Sequence, residues 1–215
     1  MIVYWILLLI AAFVAYTVGS LSTLRLASRY VFHRNLLCLG RGSVWISNFR
    51  RIFGYWGLAR LLLTELVKDL VPILLGGALL ALKKHGAVGM AFAGFCLLMG
   101  RYYPVFNRFR GSHGAVALVT AALFVSPSVG IAAAGVMLVL IWFTRYVSLG
   151  VAGGAAIMLI TAVLVVDDRL LMTLGILMAA LSLIYHIPAL RRITQGKEPK
   201  LSLETDITYK LDEKF

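Results

Sequence analysis

The residues able to do chemistry concentrate in four short segments, each mixing cations with glycines or hydroxyl groups. The first is LGRGSVWISNFRRIFG, residues 39–54, with three glycines, three arginines and no acid. Gly40 and Gly42 let backbone amides approach an anion, Ser43, Ser47 and Asn48 can donate hydrogen bonds to it, and Arg41 and Arg51 supply charge. A helix beginning just after this loop would add the positive end of its dipole. The chemistry is that of holding a phosphate.

The second segment, GRYYPVFNRFRGSHGAVAL at 100–118, again sets glycines (Gly111, Gly114) among cations (Arg101, Arg108, Arg110), with Ser112 and His113 at the entry to the next helix. The third, FTRYVSLG at 143–150, embeds Arg145 in apolar flanks with Ser148 three residues on. A charge at the bilayer centre costs roughly 2.5–3.5 kcal/mol even on the lenient scale, so Arg145 belongs at a span end or on a polar cavity. The fourth, YHIPALRRITQGKEPK at 185–200, opens with His186 and carries the Arg191–Arg192 pair. From the residues alone each segment keeps a plainer reading: a basic loop under anionic headgroups, a glycine turn, a snorkelling arginine, a histidine that caps a helix end. Lys68, between Glu65 and Asp69, is placed to pair with Glu65 on one helix face, as a structural ion pair or a substrate contact. Trp5, Trp56, Tyr102 and Trp142 read as interface belts or packing. Cys38 and Cys96 form no C-x-x-C, and neither His33 nor His85 shows metal spacing, so no metal site or cofactor is expected.

These segments need elements to carry them. Of 215 residues, 61% are hydrophobic and only 14% charged, against about 25% in soluble domains, which makes this an all-α integral membrane chain. The net charge of +12 then marks loops on the cytoplasmic side of a bilayer and not a nucleic-acid partner. The first twenty residues lack a basic n-region and read as a retained span. Apolar stretches at about 2–24, 58–82, 86–104, 148–166 and 170–187 give five crossings. The stretch at about 115–144 is too long for one, and Pro127 in FVSPSVG breaks it into two short spans. Seven spans put nearly all loop arginines and the basic tail on one side and leave Lys83, Lys84 and Arg169 on the other. The expectation is about seven transmembrane helices, N-terminus outside, C-terminus cytoplasmic. Residues 1–200 form one multi-pass domain and 201–215 a short polar tail.

In order and spacing, the four segments resemble the bacterial membrane acyltransferases that use acyl phosphate and glycerol 3-phosphate, the PlsY family. GSLS at 19–22 resembles its opening Gly-Ser motif, the 40–54 loop its Gly-rich Asn-containing loop, and ELVKDLVP its acidic-Lys-Pro helix. GRYYPVFNRFRGSHG, TRYVSL and HIPALRRITQGKEPK follow in register. Five positions depart: Arg41 stands where the family usually has Ser, Ser43 where it has Asn, Arg101 where it has His, His113 where it has Lys, and Ala189 where it has Asn.

The resemblance implies direct attack of glycerol 3-phosphate on acyl phosphate, without an acyl-enzyme and without a cofactor. His186, Arg51 and His113 are then the catalytic residues. Gly40, Arg41, Gly42, Ser43, Ser47, Asn48, Arg110, Gly111, Ser112, Gly114, Arg145 and Ser148 hold the phosphates. It further implies an inner-membrane location, an active site facing the cytoplasm, and the soluble enzyme that makes acyl phosphate as a partner. The five substituted positions leave an alternative, a non-catalytic lipid-phosphate binder or assembly protein on the same scaffold.

Overall fold

A computed structural model describes residues 2–23, 46–81, 84–109, 111–198 and 200–201, with residues 2 and 46–53 described by their backbone alone. These residues form seven α-helices: α1 (Ile2–Ser20), α2 (Ile46–Ala81), α3 (Gly86–Tyr102), α4 (Ala115–Val125), α5 (Pro127–Thr144), α6 (Val147–Val165) and α7 (Arg169–Thr194). A 3-10 turn, Val105–Asn107, follows α3. Five of the helices are long and apolar enough to cross a membrane by length and composition, and α4 is a shorter apolar helix. Trp5, Phe13, Trp142, Phe143 and Leu164 are exposed on the outside, as a lipid-facing surface requires.

The breaks have local causes. Ser126 is extended and Pro127 opens α5, where a missing amide costs nothing, so the long apolar stretch divides as its proline predicts. Asp168 caps α7 by accepting from the amides of Leu170 and Leu171 at 2.8 and 3.0 Å. Gly54 interrupts α2 at φ 68°, a left-handed conformation in which a side chain is strained.

Helix α3 is the centre, packing against α1, α2, α4 and α7. Its small residues allow this, because lipid supplies no hydrophobic drive and helices associate by close packing. A Cβ at Gly100 would strike the Tyr16 carbonyl of α1, and one at Gly89 the Gly76 carbonyl of α2. Tyr4 meets His85 where α1 and α3 begin, and the Tyr16 hydroxyl donates to the Tyr103 carbonyl at 2.8 Å where they end. α1 and α3 therefore run parallel, and α2 returns between them. The chain thus gathers the ends of α1, α3, α5 and α7 and the starts of α4 and α6 at one end of the bundle.

Candidate active site

Two polar clusters occupy that end, and α3 separates them. On one side lies a buried ion network. The Arg101 guanidinium donates to Asp69 at 3.2 and 3.3 Å and to Thr23 Oγ1 at 3.2 Å, and sits 2.6 Å from Glu65. Lys68 Nζ lies 3.3 Å from Asp69 and donates to the carbonyls of Val18 and Leu21, capping the end of α1. Two cations and two carboxylates compensate one another, which a charge buried in a membrane protein demands. The pairing differs from the expected Glu65–Lys68 couple: Lys68 turns to Asp69 and to α1, and Glu65 pairs with an arginine a helix away. Arg101 is thus a buried structural group and not a loop cation.

On the other side the structure brings together three residues that the sequence singled out. Ser148, at the start of α6, lies 3.4 Å from His113 Nδ1, and the His113 ring stacks near that of His186 with centroids 6.0 Å apart. His186 is fully buried, four residues after Ser182 on α7. Its Nδ1 lies 2.8 Å from the Ser182 carbonyl, which can only accept, so the proton sits on Nδ1 and the Nε2 lone pair is left over. Nε2 is buried and has no hydrogen bond of good geometry among the described residues, with the His113 backbone close beside the ring. Tyr102 and Tyr185 wall the imidazole edge-on, with centroids at 5.8 and 5.2 Å.

Glu198 joins this cluster from the far side of the chain. Its buried carboxylate accepts from Ser148 Oγ at 2.6 Å and from Arg192 Nε at 2.7 Å. Three residues on, the Leu201 amide donates to the Arg145 carbonyl at 2.7 Å, so the segment after α7 folds back over the α5–α6 junction. Since the Ser148 proton goes to Glu198, its oxygen accepts from His113 Nδ1–H. Burial first, then the neighbouring His186, push the His113 pKa down to about 4, against a smaller pull upward from Glu198. His113 is therefore neutral at pH 7 and brings no positive charge to this place.

The remaining predicted positions divide. Arg145 ends α5 in a left-handed conformation, φ 60°, with its side chain exposed, so it faces water or headgroups and not a buried cavity. The Ser112 amide donates to the Arg101 carbonyl at 3.3 Å and its side chain is exposed. A Cβ on Gly111 would strike the Arg101 and Tyr102 carbonyls, and one on Gly114 would come within 2.8 Å of the Tyr102 ring. These glycines make room for the end of α3. Gly40, Arg41, Gly42, Ser43 and Arg110 lie outside the described residues, as do the side chains of Ser47, Asn48 and Arg51. Helix α2 starts at Ile46, inside the 39–54 segment and not after it, so Ser47, Asn48 and Arg51 belong to its first turns. Reading the sequence missed Ser182 and Glu198, took Tyr102 for interface belt or packing, and named Arg192 without assigning it a role. Gly196, at φ 67° in TQGKEPK, is the one local signal of the turn that returns Glu198 to the site.

Comparison with known proteins decides the family. The profile described as Glycerol-3-phosphate acyltransferase matches residues 9–196. The chain belongs to this family. A glycerol-3-phosphate acyltransferase of Thermoanaerobacter sp. (strain X514) is 26% identical over 198 residues, covering 92% of this chain and 98% of the relative. One from Thioalkalivibrio sulfidiphilus (strain HL-EbGR7) is 32% identical over 192 residues, covering 89% and 92%. The crystal structure of PlsY, an integral membrane glycerol 3-phosphate acyltransferase, in its glycerol 3-phosphate form shares the fold with a TM-score of 0.72 at 24% identity, covering 91% of this chain and 96% of that one. The lysophosphatidic acid form superposes with a TM-score of 0.70 at 25% identity, covering 90% and 94%. This member of the glycerol-3-phosphate acyltransferase family is therefore an all-helical, multi-pass membrane protein.

Proposed function

We propose that this chain transfers a fatty acyl group from acyl phosphate to the 1-hydroxyl of glycerol 3-phosphate, giving lysophosphatidic acid. The hydroxyl oxygen attacks the carbonyl carbon, the bond from that carbon to the phosphate oxygen breaks, and inorganic phosphate leaves. The hydroxyl proton passes to His186 Nε2 or to a substrate phosphate oxygen. Because the donor is already activated, the protein's work is orientation, which can supply about 7–11 kcal/mol of the barrier.

The observation that carries this reading is the state of His186: a buried imidazole with its proton held on Nδ1 and its Nε2 without a well-formed hydrogen bond among the described residues, beside two residues of other motifs, His113 and Ser148. Gly40, Arg41, Gly42, Ser43, Ser47, Asn48 and Arg51 are assigned to one phosphate. Arg110, Gly111, Ser112, Gly114, Arg145 and Ser148 are assigned to the other, and His113 to the reacting groups. The domain covers residues 1–200 with 201–215 as a tail. The N-terminus lies outside, and the site faces the cytoplasm of the inner membrane, where a soluble enzyme delivers acyl phosphate.

Purified protein incubated with acyl phosphate and glycerol 3-phosphate should release lysophosphatidic acid. His186→Ala and Arg51→Ala should each lower turnover about 100-fold or more while the protein stays folded. Near-wild-type turnover in both refutes the assignment. A second reading has one observation in its favour: the Glu198 carboxylate already occupies Ser148. Tight binding of lysophosphatidic acid with no turnover of either substrate supports that non-catalytic role.

A further inference from the structure

We infer that Tyr102 and Ser182 form a positioning pair for His186, an inference that rests on the acyl-transfer reading of this site. Ser182 serves the site through two atoms. Its carbonyl accepts from His186 Nδ1, and its hydroxyl lies 2.6 Å from the Tyr102 hydroxyl across the α3–α7 interface. Both residues are fully buried.

A hydroxyl inside a helix usually turns back to the carbonyl four residues earlier. Thr17, Thr64, Thr120, Thr161 and Thr173 all do so here. Ser182 instead bonds across to another helix. The bond fixes where the Tyr102 ring stands, and three features of that ring converge on His186. It meets the imidazole at 87°, it stacks on Tyr185 at 4.5 Å, and Tyr185 is itself the second edge-on wall. On its other side the ring fills the space left by Gly114, the residue after His113. Tyr102 therefore sets the distance between the helix that holds His186 and the turn that holds His113. It touches no reacting atom and acts through these neighbours.

Two substitutions cut the same bond from opposite ends. Tyr102→Phe keeps the ring, and Ser182→Ala keeps the carbonyl that holds Nδ1. Each should lower kcat about three- to tenfold, the worth of one net hydrogen bond. The KM for glycerol 3-phosphate should stay within about twofold, because the loss falls on orientation of the base. The double variant should be no worse than the poorer single, and Tyr102→Phe should add nothing in a His186→Ala background. Wild-type kcat in both singles, multiplying losses in the double, or a raised KM at unchanged kcat overturns the pair. If the wild type makes no lysophosphatidic acid, the acyl-transfer reading fails and the pair is read without substrate, from the rate at which diethyl pyrocarbonate modifies His186. Both variants should then change that rate in the same direction by about threefold or more. Unchanged rates overturn the pair.

Discussion

His113 shows how one side chain can keep a place in a motif and lose its charge. The sequence sets it between Gly111 and Gly114, at a position where the family usually has a lysine. The structure gives it a serine partner, a stacked histidine and enough burial to stay neutral. The sign of its pH effect follows. Its folded pKa, about 4, lies below the ordinary value of 6.5, so the unfolded chain takes up the proton first. Stability is full above pH 6.5 and falls as pH drops from 6.5 toward 4. Thermal unfolding in detergent should show that loss across this window, and His113→Gln should flatten it; an unchanged slope would assign it to other groups. His186 was legible as a chemical group from its place at the head of a motif. Its tautomer was not, because the carbonyl that fixes it belongs to the helix and carries no side-chain signal.

Among the elements, α3 shows why some features could be read and others could not. The break at Pro127 was legible because its cause, a missing amide and a crowded preceding residue, lies within three residues. The burial of Arg101 was not. Its partners Thr23, Glu65 and Asp69 are 78, 36 and 32 residues away, and only packing of α1, α2 and α3 brings them together. Small residues permit that approach. Gly100→Leu should push α1 from α3, since even a Cβ would meet the Tyr16 carbonyl and come within 3.0 Å of the Ser20 amide. Overpacking of this kind costs about 1–3 kcal/mol. The variant should unfold at lower temperature in detergent, whereas Gly135→Leu, where nothing lies within 4 Å of an added Cβ, should not. Equal midpoints would show that α1 tolerates displacement.

For the whole molecule, charge counting placed the basic loops on one side, and the fold gathers the corresponding helix ends at one end of the bundle. The proposed orientation assigns that end to the cytoplasm. In a chain with Cys38 and Cys96 replaced by serine, Lys84→Cys should react with a membrane-impermeant maleimide on intact cells, and Lys200→Cys only after lysis. The reverse pattern would invert the topology. The four motifs were legible as a set because each carries its own local chemistry. The returning segment at 196–201 was not, because its function depends on contacts made 50 residues or more away. Its geometry also constrains biogenesis. A ribosome builds this protein from its amino end, so Ser148 is in the bilayer long before Glu198 is made. A nascent chain halted after α6 holds the serine without its carboxylate and His113 without His186. The proposed site is therefore completed only late in translation, after the first six helices have been made.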